Sequence, residues 1–358
     1  MRMRPMDGGT RAMHGVGGTE FERSAVKMNM RRMGRTGLKV SEICLGTMTF
    51  GAQADEKTAH AIMDVAADAG INFIDTADMY PVPASPEAAG RTEEIIGKWL
   101  EKKRDDFVLA TKCYNPMGPL PNDVGLSRRH MIKALDDSLR RLRTDYIDLY
   151  QIHRWDPQTP IAETLATFDD MRRSGKIRYA GCSNVTAWQL VQALGISEAH
   201  DWVRWDCLQP RFNLLHRSAE WELLPAAREF GVGVIAYNPL AGGFLSGKHK
   251  RGEPTKGTRF EVGGSAAMYR NRYWQDAMFD AVDKLKAHAE GRGRSLVGLA
   301  VRWVVDQPGI TSAILGASKP EQLKETLAQY STELDDADRE HCDEAWYSLP
   351  RRRPEDER

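Results

Sequence analysis

An alternation repeated eight times limits what this chain can fold into. Short apolar or β-branched runs, EICLG (42–46), INFID (71–75), FVLAT (107–111), YIDLYQIH (146–153), KIRYAG (176–181), CLQ (207–209), GVGVIAY (231–237) and SAILG (312–316), are each followed by an amphipathic helical pattern. Those patterns cover 57–69, 91–103, 127–143, 161–174, 186–194, 219–230, 295–306 and 320–330. Strand-length runs alternating with helix-length ones, about every thirty residues until the last, predict βα units and a parallel sheet. Eight such units close most simply into a (β/α)8 TIM barrel of the α/β class, with an open doubly wound sheet as the rival. Ahead of the first unit, MRRMGRTGLKVSEI (30–43) reads as two short strands about a Thr-Gly turn, a β-hairpin that can plug the bottom of a barrel. Two excursions, 114–126 and 238–273, have the length of functional lids or of disordered segments.

Composition narrows the function classes. Fifty basic and fifty acidic side chains balance, so no overall field draws the chain to nucleic acid or to an anionic membrane. No apolar run has the length of a membrane span. Five scattered cysteines, Cys44, Cys113, Cys182, Cys207 and Cys342, include no CxxC pair, which argues against a zinc site or a disulfide framework and for a reducing compartment. The opening 27 residues are rich in Gly, Met and Arg without apolar periodicity and lack the continuous apolar segment of a secretory signal. They read as a disordered tail, and the start is left open among Met1, Met28 and Met30. The expected organisation is thus a tail (1–27), one barrel domain (28–350) and a charged tail (351–358), in the cytoplasm, with homo-oligomer formation left open.

Polar residues punctuate the C-terminal ends of the strand runs: Asp75, Lys112, His153, Ser183 with Asn184, Gln209, Tyr237, and Gly316 with Ser318. Any one of them could cap a strand at the water boundary. Seven polar ends favour the barrel, because a barrel brings every strand end to one face, whereas an open sheet uses only those near a switch point. Two other motifs are weaker. GVGVIA (231–236) has the spacing of a dinucleotide fingerprint but opens a strand instead of following one. GGFLSGKH (242–249) has the Gly, Gly and Lys of a P-loop at Gly242, Gly247 and Lys248, but His249 stands where the magnesium-holding hydroxyl belongs.

FIDTADMY, ATK and LYQIH together resemble the Asp–Tyr–Lys–His tetrad of the aldo/keto reductase superfamily, at Asp75, Tyr80, Lys112 and His153. GRTGLKVSEICLGTMTFG, GKIRYAGCSN, YNPLAGGFLSGK and ILGASKPEQL extend the resemblance over roughly 30–345. Within the superfamily, DTADMYPVPASPEAAGRTEEIIG (75–97) resembles bacterial Tas-type members, and the chain is more distantly similar to β-subunits of voltage-gated potassium channels. The resemblance implies reduction of a small-molecule aldehyde or ketone, with Tyr80 as general acid. A free phenol titrates near pH 10, and a nearby ammonium is expected to lower that by about 1–3 units. Lys112 takes that part, Asp75 holds Lys112, and His153 orients the carbonyl and donates to the forming oxyanion. Cys113 and Cys182, beside these residues, read as small buried hydrophobes.

The same resemblance implies NADP(H) as cofactor. Ser183 and Asn184 would hold the nicotinamide carboxamide beside Gln209, and the ring would stack on Tyr237, near Gly46, Thr47 and Met48. Asn238, Pro239, Leu240 and Gly242 would pass over the pyrophosphate, so no magnesium and no hydroxyl at His249 are needed. Gly316, Ser318, Lys319 and Gln322 would meet the adenosine phosphate, with Glu325 toward the adenine and Lys248 and Arg259 as further cations. Thr326 departs from the Asn that relatives commonly carry. The substrate pocket is expected from both excursions with Met48, Tyr80, His153, Trp155 and the segment 269–274. Two other functions stand beside the reductase: a cofactor-sensing regulatory subunit of the channel type, and a Schiff-base aldolase acting through Lys112.

Overall fold

The computed structural model describes residues 28–83, 85–261 and 265–351, so the tail expected at 1–27 and all of the C-terminal tail but Arg351 lie outside the described residues. Eight parallel strands form a closed barrel: β3 (Ile43–Gly46), β4 (Phe73–Asp75), β5 (Val108–Cys113), β6 (Ile147–Ile152), β7 (Ile177–Ser183), β8 (Trp205–Gln209), β9 (Gly233–Ala236) and β10 (Ile310–Gly316). They pair in sequence order, and β10 pairs with both β9 and β3 to close the ring. Each of the eight runs read from the sequence is one of these strands.

Side chains alternate in and out along a strand, and the inward series fills the cylinder. Cys44, Phe73, Ala110, Leu149, Cys207, Ile235 and Ile314 form a buried cluster inside the ring. The hairpin of β1 (Met30–Arg32) and β2 (Lys39–Ser41) contributes Met33 and Val40 to that cluster, so it seals one end as expected. Gly34 in its turn has φ +52°, and a Cβ there would stand 2.4 Å from the carbonyl oxygen of Gly231. Only glycine fits that approach.

The helices α1 (Glu56–Asp68), α2 (Arg91–Leu100), α3 (Arg128–Leu142), α4 (Ile161–Arg173), α5 (Ala187–His200), α6 (Leu223–Glu229), α9 (Leu296–Asp306) and α10 (Pro320–Tyr330) match the eight helical patterns. Local chemistry starts several of them: Asp55, Ser127 and Ser295 accept from backbone N–H groups in the first turns of α1, α3 and α9. Such a cap contributes about 1 kcal/mol. Gly231 and Val232 of GVGVIA turn from α6 into β9, which the motif's last four residues form.

Three helices were not anticipated: α7 (Ala266–Tyr273), α8 (Asp276–Gly291) and α11 (Asp336–Tyr347). The excursion read as 238–273 therefore ends in a helix. α8 buries Met278, Phe279, Val282 and Leu285, a legible helical spacing that lay outside the strand–helix alternation. α11 is half charged and buries only Asp338, Cys342 and Ala345, too few to show a period. No helix among the described residues is long and apolar enough to cross a membrane.

Candidate active site

Two residues beyond the inward core layer, the same strands turn polar. Phe73 leads to Asp75, Ala110 to Lys112, Leu149 to Gln151 and Cys207 to Gln209, so a polar layer caps an apolar one inside the ring. At its centre the Lys112 ammonium donates to Asp75 Oδ2 at 2.6 Å and to the Thr76 carbonyl at 2.7 Å, with the lysine side chain wholly buried. Asp75 Oδ1 accepts from Gln209 Nε2 at 2.9 Å and from Gln151 Nε2 at 3.2 Å. A buried carboxylate survives only when paired and hydrogen-bonded. Asp75 is both.

Tyr80 comes from the loop after β4, and the Lys112 Nζ lies 5.5 Å from its ring centroid. His153 follows β6, its backbone N–H donating to the Cys113 carbonyl, and its ring meets Tyr80 edge-on at 5.9 Å. The structure brings all four tetrad residues together. At Tyr80 the net electrostatic balance runs upward. Burial first, then the Asp75 charge, push the Tyr80 phenol well above its ordinary value, with Arg259 working the other way. His153 is driven well below the ordinary imidazole range by burial first, then by Lys112 and Arg154, and is therefore neutral near pH 7.

Around this centre lies a second set of polar groups. Asn184, at φ +55°, donates to the His153 carbonyl and to Ser183 Oγ, and its Oδ1 accepts from the Tyr237 hydroxyl at 2.8 Å. Ser183 Oγ donates to the Gln209 carbonyl. Gln209 itself is turned inward onto Asp75, so its amide serves the ion pair. Thr47 holds the Asp75 carbonyl at 2.9 Å, Gly46 ends β3, and the Met48 carbonyl accepts from Val82 in the Tyr80 loop. Trp155 is partly buried and packs edge-on against the exposed Trp188 at 5.8 Å.

The glycine-rich loop lies on the same face. Asn238 (φ +64°) accepts from the Gly242 N–H through its side chain, Pro239 and Leu240 follow, and the Leu240 carbonyl receives the Gly243 N–H. Gly242 has φ +71°, and a Cβ there would meet Tyr269 at 2.6 Å. Lys248 is exposed, while His249 is packed among Phe244, Phe260 and Trp274. The position where a P-loop carries its hydroxyl is thus an aromatic core position. Tyr273 is likewise buried, bonded to Asn213 and Asn238, so part of the segment expected to line the pocket packs the scaffold instead.

Beyond β10, the Arg259 guanidinium is near Gly316, where a Cβ would be 3.9 Å from Nη2. Ser318 donates through its N–H to Gln322, Lys319 precedes the first turn of α10 without a side-chain cap bond, and Lys319, Gln322 and Glu325 are exposed. Thr326 is turned onto its own helix, donating to the Gln322 carbonyl. The five cysteines are free and buried, and burial raises every thiol. A separate cavity of about 340 Å³, bounded by Arg211, Trp221, Arg272 and Trp346 among others, has no tetrad residue in its wall. Side-chain chemistry, not cavity size, marks the site.

Sequence reading missed Gln151, Thr76 and Asn115. Gln151 was within reach, because counting back two residues from His153 puts it on the inward face. Asn115 Nδ2 stands 3.0 Å from His153 Nδ1, a contact no sequence pattern signals.

Comparison with known proteins agrees with this geometry. The model of the aldo/keto reductase family matches residues 42–347. The chain is 41% identical over 315 residues to the "Uncharacterized oxidoreductase YrpG" of Bacillus subtilis, covering 86% of this chain and 93% of that protein. It is 37% identical over 331 residues to "Protein tas" of Escherichia coli, covering 86% and 94%. It is 36% identical over 305 residues to the "Probable voltage-gated potassium channel subunit beta" of Arabidopsis thaliana, covering 84% and 90%. The polar layer at the barrel mouth and these matches together place the chain in the aldo/keto reductase family of oxidoreductases.

Proposed function

We propose that this protein reduces an aldehyde or ketone to an alcohol with NADP(H), Tyr80 serving as general acid. The observation that carries the reading is the buried Lys112–Asp75 pair beneath Tyr80, with a neutral His153 at the tyrosine's edge. When bound, the nicotinamide supplies hydride to the carbonyl carbon. The residues around it would do the rest. Tyr80, held as the protonated phenol by burial and by Asp75, would give its proton to the carbonyl oxygen. Lys112 would stabilise the phenolate left behind, at a distance where an ion pair with Asp75 already fixes it. His153 would donate one N–H to the same oxygen.

The donor set suits a dinucleotide. Ser183, Asn184 and Tyr237 offer an amide-sized cluster of donors and acceptors with an aromatic face. Gly242 and Gly243 keep a backbone free of side chains at φ +71° and +99°. Lys248, Arg259 and Lys319 supply cations for phosphates, which favours NADPH over NADH. Tyr80→Phe is expected to lower kcat by about 10²–10⁴ while a fluorescence titration shows NADPH binding intact and tighter than NADH. A variant retaining most of its turnover would refute Tyr80 as the acid.

A cofactor-sensing regulatory role is the second reading, favoured by similarity to the Arabidopsis channel subunit. The aldolase reading is weaker, because Lys112 donates to Asp75 and Thr76 instead of presenting a free amine.

A further inference from the structure

His153 can aid a carbonyl oxygen only if the ring nitrogen facing it carries a proton. A neutral imidazole has one N–H and one lone pair, so something must decide which nitrogen holds which. Asn115, the second residue past β5, places its amide nitrogen 3.0 Å from His153 Nδ1. An amide nitrogen has hydrogens and no available lone pair. The contact is therefore Asn115 Nδ2–H donating to an unprotonated Nδ1, which leaves the proton on Nε2. Among the described residues Nε2 has no protein hydrogen-bond partner, so its N–H is available to a substrate.

The backbone holds both partners in register. Cys113 and Ile152 are paired across β5 and β6, and the His153 N–H extends that ladder onto the Cys113 carbonyl. The Tyr114 carbonyl accepts from Gly125 at 2.8 Å, pinning the start of the 114–126 loop, and the His153 carbonyl is held by Asn184. We propose that Asn115 is the positioning residue that fixes the His153 tautomer and aims its Nε2–H at the substrate oxygen. The proposal deepens the reductase reading and rests on it for its catalytic meaning. The other charged or titratable groups facing the ring are Lys112 on β5, Arg154 on its own segment and Tyr80 on the β4 loop. None of these accepts a proton from Nδ1 in the structure.

Nitrogen-15 NMR of the full chain with labelled histidine tests the assignment, His153 being identified by the signal lost in His153→Gln. The unsubstituted protein is expected to show the Nε2–H tautomer. Asn115→Asp replaces the donor by an acceptor and should move His153 to the Nδ1–H tautomer or to imidazolium. It should also lower kcat about a hundredfold and add a new limb to the pH–rate profile. Asn115→Leu, which neither donates nor accepts, should give mixed tautomers and a smaller loss. An Nδ1–H signal in the unsubstituted protein overturns the proposal even if no Asn115 variant folds, and so does an Asn115→Asp spectrum unchanged from it. The spectrum is read without substrate. A protein with the expected tautomers that reduces no carbonyl therefore upholds Asn115's role and refutes the reductase reading.

Discussion

At the scale of single residues, Asp75 does more than its place in a motif indicates. It neutralises Lys112 and receives two glutamine amides, so its removal leaves a wholly buried ammonium without a counter-charge. Breaking one side of a buried pair costs about 3–5 kcal/mol, whereas replacing both partners with apolar groups can be nearly neutral. Asp75→Asn should therefore lose about that much stability in urea unfolding. Asp75→Asn with Lys112→Met should regain a large part of it while remaining inactive. If the double variant is no more stable than the single one, the charge argument is wrong. The tetrad was legible because each member lies in a recognisable stretch. The direction of the Tyr80 shift was not, since it depends first on how deeply the phenol is buried, which no residue spacing encodes.

At the scale of elements, the strands were easier to read than the long connection after β9. Each strand carries its own apolar signature, but the stretch from 238 to 291 is organised by aromatic contacts between distant residues. His249 illustrates the difference. As a sequence letter it is a failed P-loop position, and in the fold it stacks on Phe244 and packs against Phe260 and Trp274. Burial, with a smaller contribution from Lys248, lowers its pKa to about 4, and Nε2 is buried without a partner among the described residues. An unfolded histidine titrates near 6.5. Between about pH 6.5 and 4 the unfolded chain thus binds a proton that the native ring refuses. Stability from this site is present above pH 6.5 and is lost as pH falls toward 4, by at most about 3 kcal/mol. His249→Phe should shrink the drop in melting temperature between pH 7.5 and pH 5. An identical drop in both proteins would show that the ring does not carry the acid sensitivity.

At the scale of the whole molecule, the barrel separates stability from chemistry along its axis. The hairpin end is apolar and closed by Met33 and Val40, and the opposite end carries the polar layer. Met33→Ala should cost about 2–5 kcal/mol through the cavity it leaves, with kcat/KM unaltered under native conditions. A matching loss of turnover in the folded variant would mean the two ends are coupled. The polar layer itself has a topological meaning. Asp75 is held by side chains from β5, β6 and β8, so residues from 75 to 209 must converge before its contacts are complete. A fragment ending after β6 would carry Asp75, Lys112 and Gln151 yet lack Gln209. The full set of partners of the buried ion pair is therefore drawn from both halves of the barrel, and a piece of the chain that stops short of β8 cannot assemble it.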